Sequence, residues 1–253
     1  MNKSLTISLI SAFTLGLASA TPAEDDSIWK EWSMSATSHL CTGYVFNGFL
    51  LSDKPVLQSD ITISNTLGFS FSVWWSTDFE SEKTWGDEVD YILTYEKSFG
   101  EYATSFSVSY FDCFNLLNKE GDAVEIKGMV SRDFELSKDQ TVTPFAKLCG
   151  YFPVEAESGS NGLVVEVGTR YCFQLTDKVN LKQQLSVIHD SGAYSSDSGF
   201  IAKYLAGAEL KINDRVKFDV GLEYNAMLSS FSNDSRGEGG NQIVGFVGLG
   251  FTW

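Results

Sequence analysis

From Trp32 onward, large apolar residues alternate with small or polar ones along the chain. Leu67-Gly68-Phe69-Ser70-Phe71-Ser72-Val73-Trp74-Trp75 places large side chains on the odd positions and Gly or Ser on most even ones. Val89 to Tyr95, Tyr102 to Tyr110 and Val216 to Tyr224 repeat the pattern, the last with Lys217, Asp219, Gly221 and Glu223 opposite the apolar set. Successive side chains of a strand point to opposite faces, so each segment predicts a strand with one apolar and one polar or small face. The scan yields about twelve strands of about ten residues, the length of a tilted membrane strand. They fall at 34–46, 56–64, 67–77, 88–97, 102–111, 123–132, 141–152, 162–173, 179–189, 199–212, 215–226 and 242–253.

The connections carry as much information. Asn65-Thr66, Ser98 to Glu101, Leu175 to Lys178 and Asn213-Asp214 are short. Asn47–Pro55, Asp78–Asp87, Asp112–Asp122, Pro153–Asn161, Asp190–Ser198 and Met227–Asn241 are long and polar. Long and short connections alternate, which places all long loops at one end of an up-and-down barrel and all short turns at the other. The stretch Asp133–Gln140 should be a short turn and is longer than the rest. The fold class expected is all-β, a transmembrane antiparallel up-and-down β-barrel with long extracellular loops and short periplasmic turns.

The chain starts differently. Lys3, the apolar run Leu5 to Leu17 and the small-x-small triplet Ala18-Ser19-Ala20 have the layout of a secretory signal peptide cleaved after Ala20. Residues 21–31 read as a flexible mature N-terminus and 32–253 as the barrel. After residue 20 no apolar run is long enough for a transmembrane helix. The 253 residues carry 33 acids against 18 bases, a net charge of −15, which argues against a nucleic-acid partner. Only 4 prolines accompany 22 glycines and 14% aromatic residues, a composition suited to many paired strands.

Alternation alone does not say which face meets lipid. Three features put the apolar face outward: the export signal, aromatic residues near strand ends (Trp75, Tyr91, Tyr102, Tyr110, Tyr171, Tyr224 and Trp253), and no charge on the apolar set of the clearest strands. Val247, Leu249, Phe251 and Trp253 share one face of the last segment. A chain ending in an aromatic residue on an alternating strand resembles the carboxy-terminal recognition signal that the barrel-assembly machinery reads.

Tyr44-Val45-Phe46-Asn47-Gly48, then Leu51-Ser52-Asp53, then Pro55-Val56-Leu57-Gln58, resembles the opening of the TorF-type porins of Gram-negative bacteria. Those chains read Tyr-x-Phe-Arg-Gly, then Ser, then Pro and Gln; Asn47 stands here where the family has Arg. The resemblance is most specific over residues 44–75 and loose elsewhere. It implies an outer-membrane channel and supplies no catalytic residues.

With the apolar set outward, the inward set comprises Glu88, Asp90, Glu96, Glu125, Lys127, Glu166, Arg170, Lys182, Lys203, Glu209, Lys211, Lys217, Asp219 and Glu223. Charges inside a barrel are paired or solvated, and a barrel of about twelve strands lies between filled and open ones. A narrow wet lumen crossed by ion pairs follows, passing small hydrophilic solutes or ions by diffusion with a weak cation preference. The alternatives are a closed barrel with a structural charge network, an adhesive barrel binding through its loops, a soluble periplasmic β-protein and, more remotely, an outer-membrane lipid-modifying enzyme. Loop acids such as Glu80, Glu82, Glu155, Glu157, Asp234 and Glu238 read as solvated, or as divalent-cation bridges to lipopolysaccharide.

Other chemistry is thin. His189-Asp190-Ser191 contains triad letters, but neighbours on a strand face opposite ways, so the run cannot form a relay and no enzyme is expected. Cys41, Cys113, Cys149 and Cys172 form no close pair, so neither a zinc site nor a cofactor is expected. Four cysteines allow three disulfide connectivities, and the sequence does not choose among them.

Overall fold

The computed structural model describes residues 31–79, 86–113, 121–155, 161–193, 198–229 and 240–253. The expected leader, its cleavage site and nearly all of segment 21–31 lie outside them, as do the loop acids Glu80, Glu82, Glu157, Asp234 and Glu238.

The strands in chain order are β1 (Trp32–Cys41), β2 (Tyr44–Phe46), β3 (Phe49–Ser52), β4 (Val56–Asn65), β5 (Phe69–Asp78), β6 (Glu88–Phe99), β7 (Tyr102–Cys113), β8 (Ala123–Arg132), β9 (Phe134–Ser137), β10 (Gln140–Pro153), β11 (Gly162–Thr176), β12 (Val179–Ser191), β13 (Ser198–Lys211), β14 (Val216–Met227) and β15 (Gln242–Thr252). Each barrel strand pairs antiparallel with its neighbours, and β1 pairs with both β4 and β15, which closes a ring of 12. Closure leaves no sheet edge in the ring, the condition for spanning hydrocarbon with strands.

The register sorts the side chains. Leu40, Phe71, Leu93, Phe106, Leu148, Leu185, Leu222 and Leu249 stand on the outer face, each 40% or more exposed. Their neighbours across the ladders are of the same kind: Leu40 faces Leu57 and Val247, and Phe71 faces Ile63 and Leu93. An apolar belt running round the whole ring is a lipid-facing surface rather than the core of a soluble barrel. Lys97 and Arg132 stand on the outer face only at the short-turn end. There Lys97 lies over Phe99, and Arg132 lies over Tyr102 and Phe134 while pairing with Glu101. Long basic stems reaching past aromatic rings to the water boundary suit an interface.

Two stretches depart from the expected spans. The first predicted strand, 34–46, ends at Cys41; residues 44–52 form a separate hairpin, β2–β3, that shares no ladder with the ring. Asn47 (φ 47°) and Gly48 (φ 91°) make its two-residue turn, with positive φ at both positions. The long turn at 133–140 is a second hairpin, in which β9 pairs only with β10 beyond the point where β8 leaves it. Every residue of β9 is exposed.

The β15–β1 seam closes the ring. Gly248 pairs with His39, and a Cβ at that glycine would overlap the imidazole ring. A Gly248→Val substitution is therefore expected to hinder closure at a cost of about 1–3 kcal/mol, seen as loss of the heat-modifiable band of the folded barrel in detergent gels. An unchanged band would contradict this account of the seam.

Candidate functional site

The lumen is the only place where the inward charges meet, and two halves of the ring build it differently. All fourteen charged residues named from the sequence fall on the inward parity of the register. Along β10–β15 and β1, carboxylates answer amines across adjacent strands. Glu166 pairs with Lys147, Glu223 with Lys203 (2.8 Å), and Glu209 with both Lys182 (2.8 Å) and Lys217 (3.2 Å). His39 Nε2 lies 2.6 Å from Asp219 Oδ2. Lys211 is drawn to the mouth by Asp214 in the following turn (2.8 Å), and the ammonium holds that exposed carboxyl below its usual range. Arg170 makes no ion pair among the described residues; its guanidinium stacks 4.6 Å from the Phe145 ring centroid, and its Nε donates to Gln184 Oε1.

The β4–β8 half is acidic. Asp60, Asp78, Glu88, Asp90, Glu96 and Glu125 face inward, and among the described residues Lys127 is the only inward base, 3.2 Å from Glu125. Neutral groups serve several of these acids. Thr37 donates to Asp60, Ser52 to Asp78 (2.5 Å) and the Tyr44 hydroxyl to Glu88 (2.7 Å).

Tyr44 and Ser52 belong to the β2–β3 hairpin, which lies inside the ring at the loop end. Its apolar tip crosses the lumen. Phe49 is 3% exposed and packs in one cluster with Phe111, Cys113, Ala123, Cys149, Tyr151, Val164, Ile188, Ala193 and Ile201, residues of the β7–β13 arc. Phe46 meets Phe111 edge-on at 5.8 Å, and Tyr44 packs on Trp74 at 5.8 Å. Gly48 sits so close to Ile201 that a Cβ there would come within 2.8 Å of its Cγ2. The expectation of a wet lumen therefore fails at this level: the hairpin corks it with apolar side chains. At the short-turn end a cavity of about 550 Å³ remains, lined by Ser98, Gly100, Glu101, Tyr102, Ala103, Ser131, Asp133, Thr143 and Arg170.

The cork explains what the sequence pattern hid. On β10 the inward set is Phe145, Lys147, Cys149 and Tyr151, opposite an outward set containing Leu148 and Phe152. Both faces are apolar because one meets lipid and the other meets the hairpin, so Lys147 was not recognisable as a lumen residue. Asp60 and His39 also belong to the lumen and were missed, although strand parity was signal enough to place them.

The remaining candidates do not assemble a site. His189 stands on the outer face against Phe200 (4.6 Å), with Ser198 Oγ 3.1 Å from Nε2, whereas Asp190 faces inward and accepts from Ala193 N. No carboxylate among the described residues meets the ring. The four cysteines are free thiols, and among the described residues no group of three or more His, Cys, Asp or Glu is placed to hold a metal ion. Val247, Leu249 and Phe251 face outward on β15; Trp253 follows the strand, its ring stacked on Phe251 and its backbone bonded to Met34.

No protein-family model matches the chain, and no curated protein matches it. Solved structures do. NanC porin superposes with a TM-score of 0.54 at 9% identity, covering 86% of this chain and 98% of that one. KdgM porin gives 0.52 at 11%, covering 87% and 99%, and that porin is also solved in complex with disordered oligogalacturonate. The translocator domain of the autotransporter NalP from Neisseria meningitidis gives 0.51 at 14%, covering 98% and 95%. The chain has the outer-membrane barrel fold. At such identities the likeness extends to architecture and no further.

Hydrogen bonds to carboxylates and a buried ring hold the hairpin. Tyr44→Phe removes a hydrogen bond to a carboxylate worth about 1.5–3 kcal/mol, and Phe49→Ala removes a buried ring worth about 3–5 kcal/mol. Each variant is expected to raise the open fraction of single-channel recordings by about tenfold or more, with Phe49→Ala the larger effect. Equal or lower open fractions would show that the hairpin is not the obstruction.

Proposed function

We propose that the protein is an outer-membrane porin-like channel through which small hydrophilic solutes or ions diffuse, closed at its loop end by the β2–β3 hairpin in the conformation described. The observation that carries this reading is the charged inner wall: ion pairs line it from strand to strand, and a 550 Å³ cavity opens from it at the turn end. A barrel that served only as a scaffold has no need of so many lumenal charges, since buried ion pairs contribute little net stability. The TorF-type resemblance over residues 44–75 supports the same reading, as do the porins among the structural relatives. In this reading a signal peptide cleaved after Ala20 exports the chain. Val247, Leu249, Phe251 and Trp253 present it to the barrel-assembly machinery, and lipopolysaccharide surrounds the loop end.

A second reading, a non-conducting barrel, is favoured by the Phe49 cluster, which seals the lumen with apolar contacts. Liposome swelling separates the two. Vesicles holding the wild-type or the Phe49→Ala protein are expected to swell in small sugars, faster with the variant. If neither protein admits any solute, the channel reading is wrong and the structural one stands.

A further inference from the structure

We propose that the β4–β8 wall is a cation path, so that the channel passes small cations in preference to anions; the proposal rests on the channel reading. The charge of the lumen is divided by wall. Opposite β4–β8, the acids Glu166, Glu209 and Glu223 are answered by lysines and Asp219 by His39. On β4–β8, Asp60 and Glu88 take their hydrogen bonds from hydroxyls, which satisfy the oxygens without cancelling the charge. Lys127 offsets Glu125 alone. The inward side of β6 reads Glu88, Asp90, Ile92, Thr94 and Glu96, and Glu96 lies two residues from Ser98 at the turn-end cavity. The acids therefore stand at both ends of the path, Glu96 near the open mouth and Asp90 and Glu88 below the hairpin, with the Thr94 hydroxyl between them.

A second observation lies in the same wall. Ser76 Oγ, Asp90 Oδ1 and Ser107 Oγ face inward from residues more than nine-tenths buried, and none has a hydrogen-bond partner among the described residues. Ser76 is the direct cross-strand neighbour of Glu88, and Ser107 that of Lys127. Uncommitted oxygens beside uncancelled carboxylates suit a cation that has shed part of its water, whereas an anion finds there no amine free of a carboxylate. The wall offers oxygens in sequence rather than a chelating group, which suits passage and not capture. Arg170, which has no carboxylate partner among the described residues, lines the same turn-end cavity as Ser98, four strands round the ring from β6.

Reversal potentials of the full-length protein in planar bilayers under a KCl gradient test this, with Phe49→Ala as a second, open background. Potassium is expected to be preferred over chloride by about tenfold at low salt. The preference should weaken between 0.1 M and 1 M KCl, as the screening length falls from about 10 Å to about 3 Å. The double variant Asp60→Asn, Glu96→Gln is expected to keep heat-modifiable migration while its reversal potential moves toward zero. Current with no ion preference, or with chloride preferred, overturns the cation path and leaves the channel reading intact. No current in either background overturns both. Selectivity unchanged in the double variant also overturns the assignment to this wall.

Discussion

The whole architecture depends on one ladder, the pairing of β15 with β1. In hydrocarbon an unpaired strand edge leaves a row of amides and carbonyls with no water to receive them, and every such group costs several kcal/mol. A sheet of twelve strands can lie there only if its last strand finds its first. Gly248 on β15 leaves room at that seam for the His39 ring of β1, and Gly250 leaves room for the Lys217 stem of β14. Once the ring is shut, the inner face is cut off from lipid, and the charges on it must be served by one another, by water or by whatever enters from the ends.

The two halves of the ring answer that demand in different ways. On one side lysines and carboxylates neutralise one another between neighbouring strands. On the other, hydroxyls and a phenol serve the acids, and two of those donors, Tyr44 and Ser52, come from a segment that is not part of the ring. The hairpin is amphipathic in the sense that matters here: its base bonds to the acids of β5 and β6, and its tip buries phenyl rings against the β7–β13 arc. Closure of the lumen and compensation of its acids are thus achieved by the same nine residues, 44–52.

Much of this was legible in the sequence. Period-two alternation with alternating loop lengths specifies a ring of about twelve strands, because side-chain direction and chain reversal are both local properties. The register of the charged residues was also legible, since parity propagates along a strand once a few apolar positions fix it. The hairpin was not. Asn47-Gly48 between Phe46 and Phe49 is a strong turn signal, but a turn does not say whether its strands extend a barrel wall or fold beneath the rim. That choice depends on Phe111, Tyr151, Ile188 and Ile201, which lie far away in the sequence. Lys147 was obscured for the same reason: a strand with apolar contacts on both faces loses the contrast from which parity is read. The overhang at β9 escaped because a break at Asp133 separates it from β8 and the alternation continues past the break.

The turn at Asn47 and Gly48 has a mechanical corollary. Two residues with positive φ are comfortable as Asn and Gly without any help from the barrel, and among the described residues β2 and β3 form a backbone ladder with each other and with no other strand. The segment therefore holds its own shape as a stiff tongue joined to the ring through residues 53–55 and through Thr42, which is itself bonded to Gly245 of β15. A tongue of this kind is either seated or unseated, because half-withdrawal would break its contacts with the wall and gain nothing in return. Obstruction by such a piece is digital, and current through the protein would step between two levels instead of drifting.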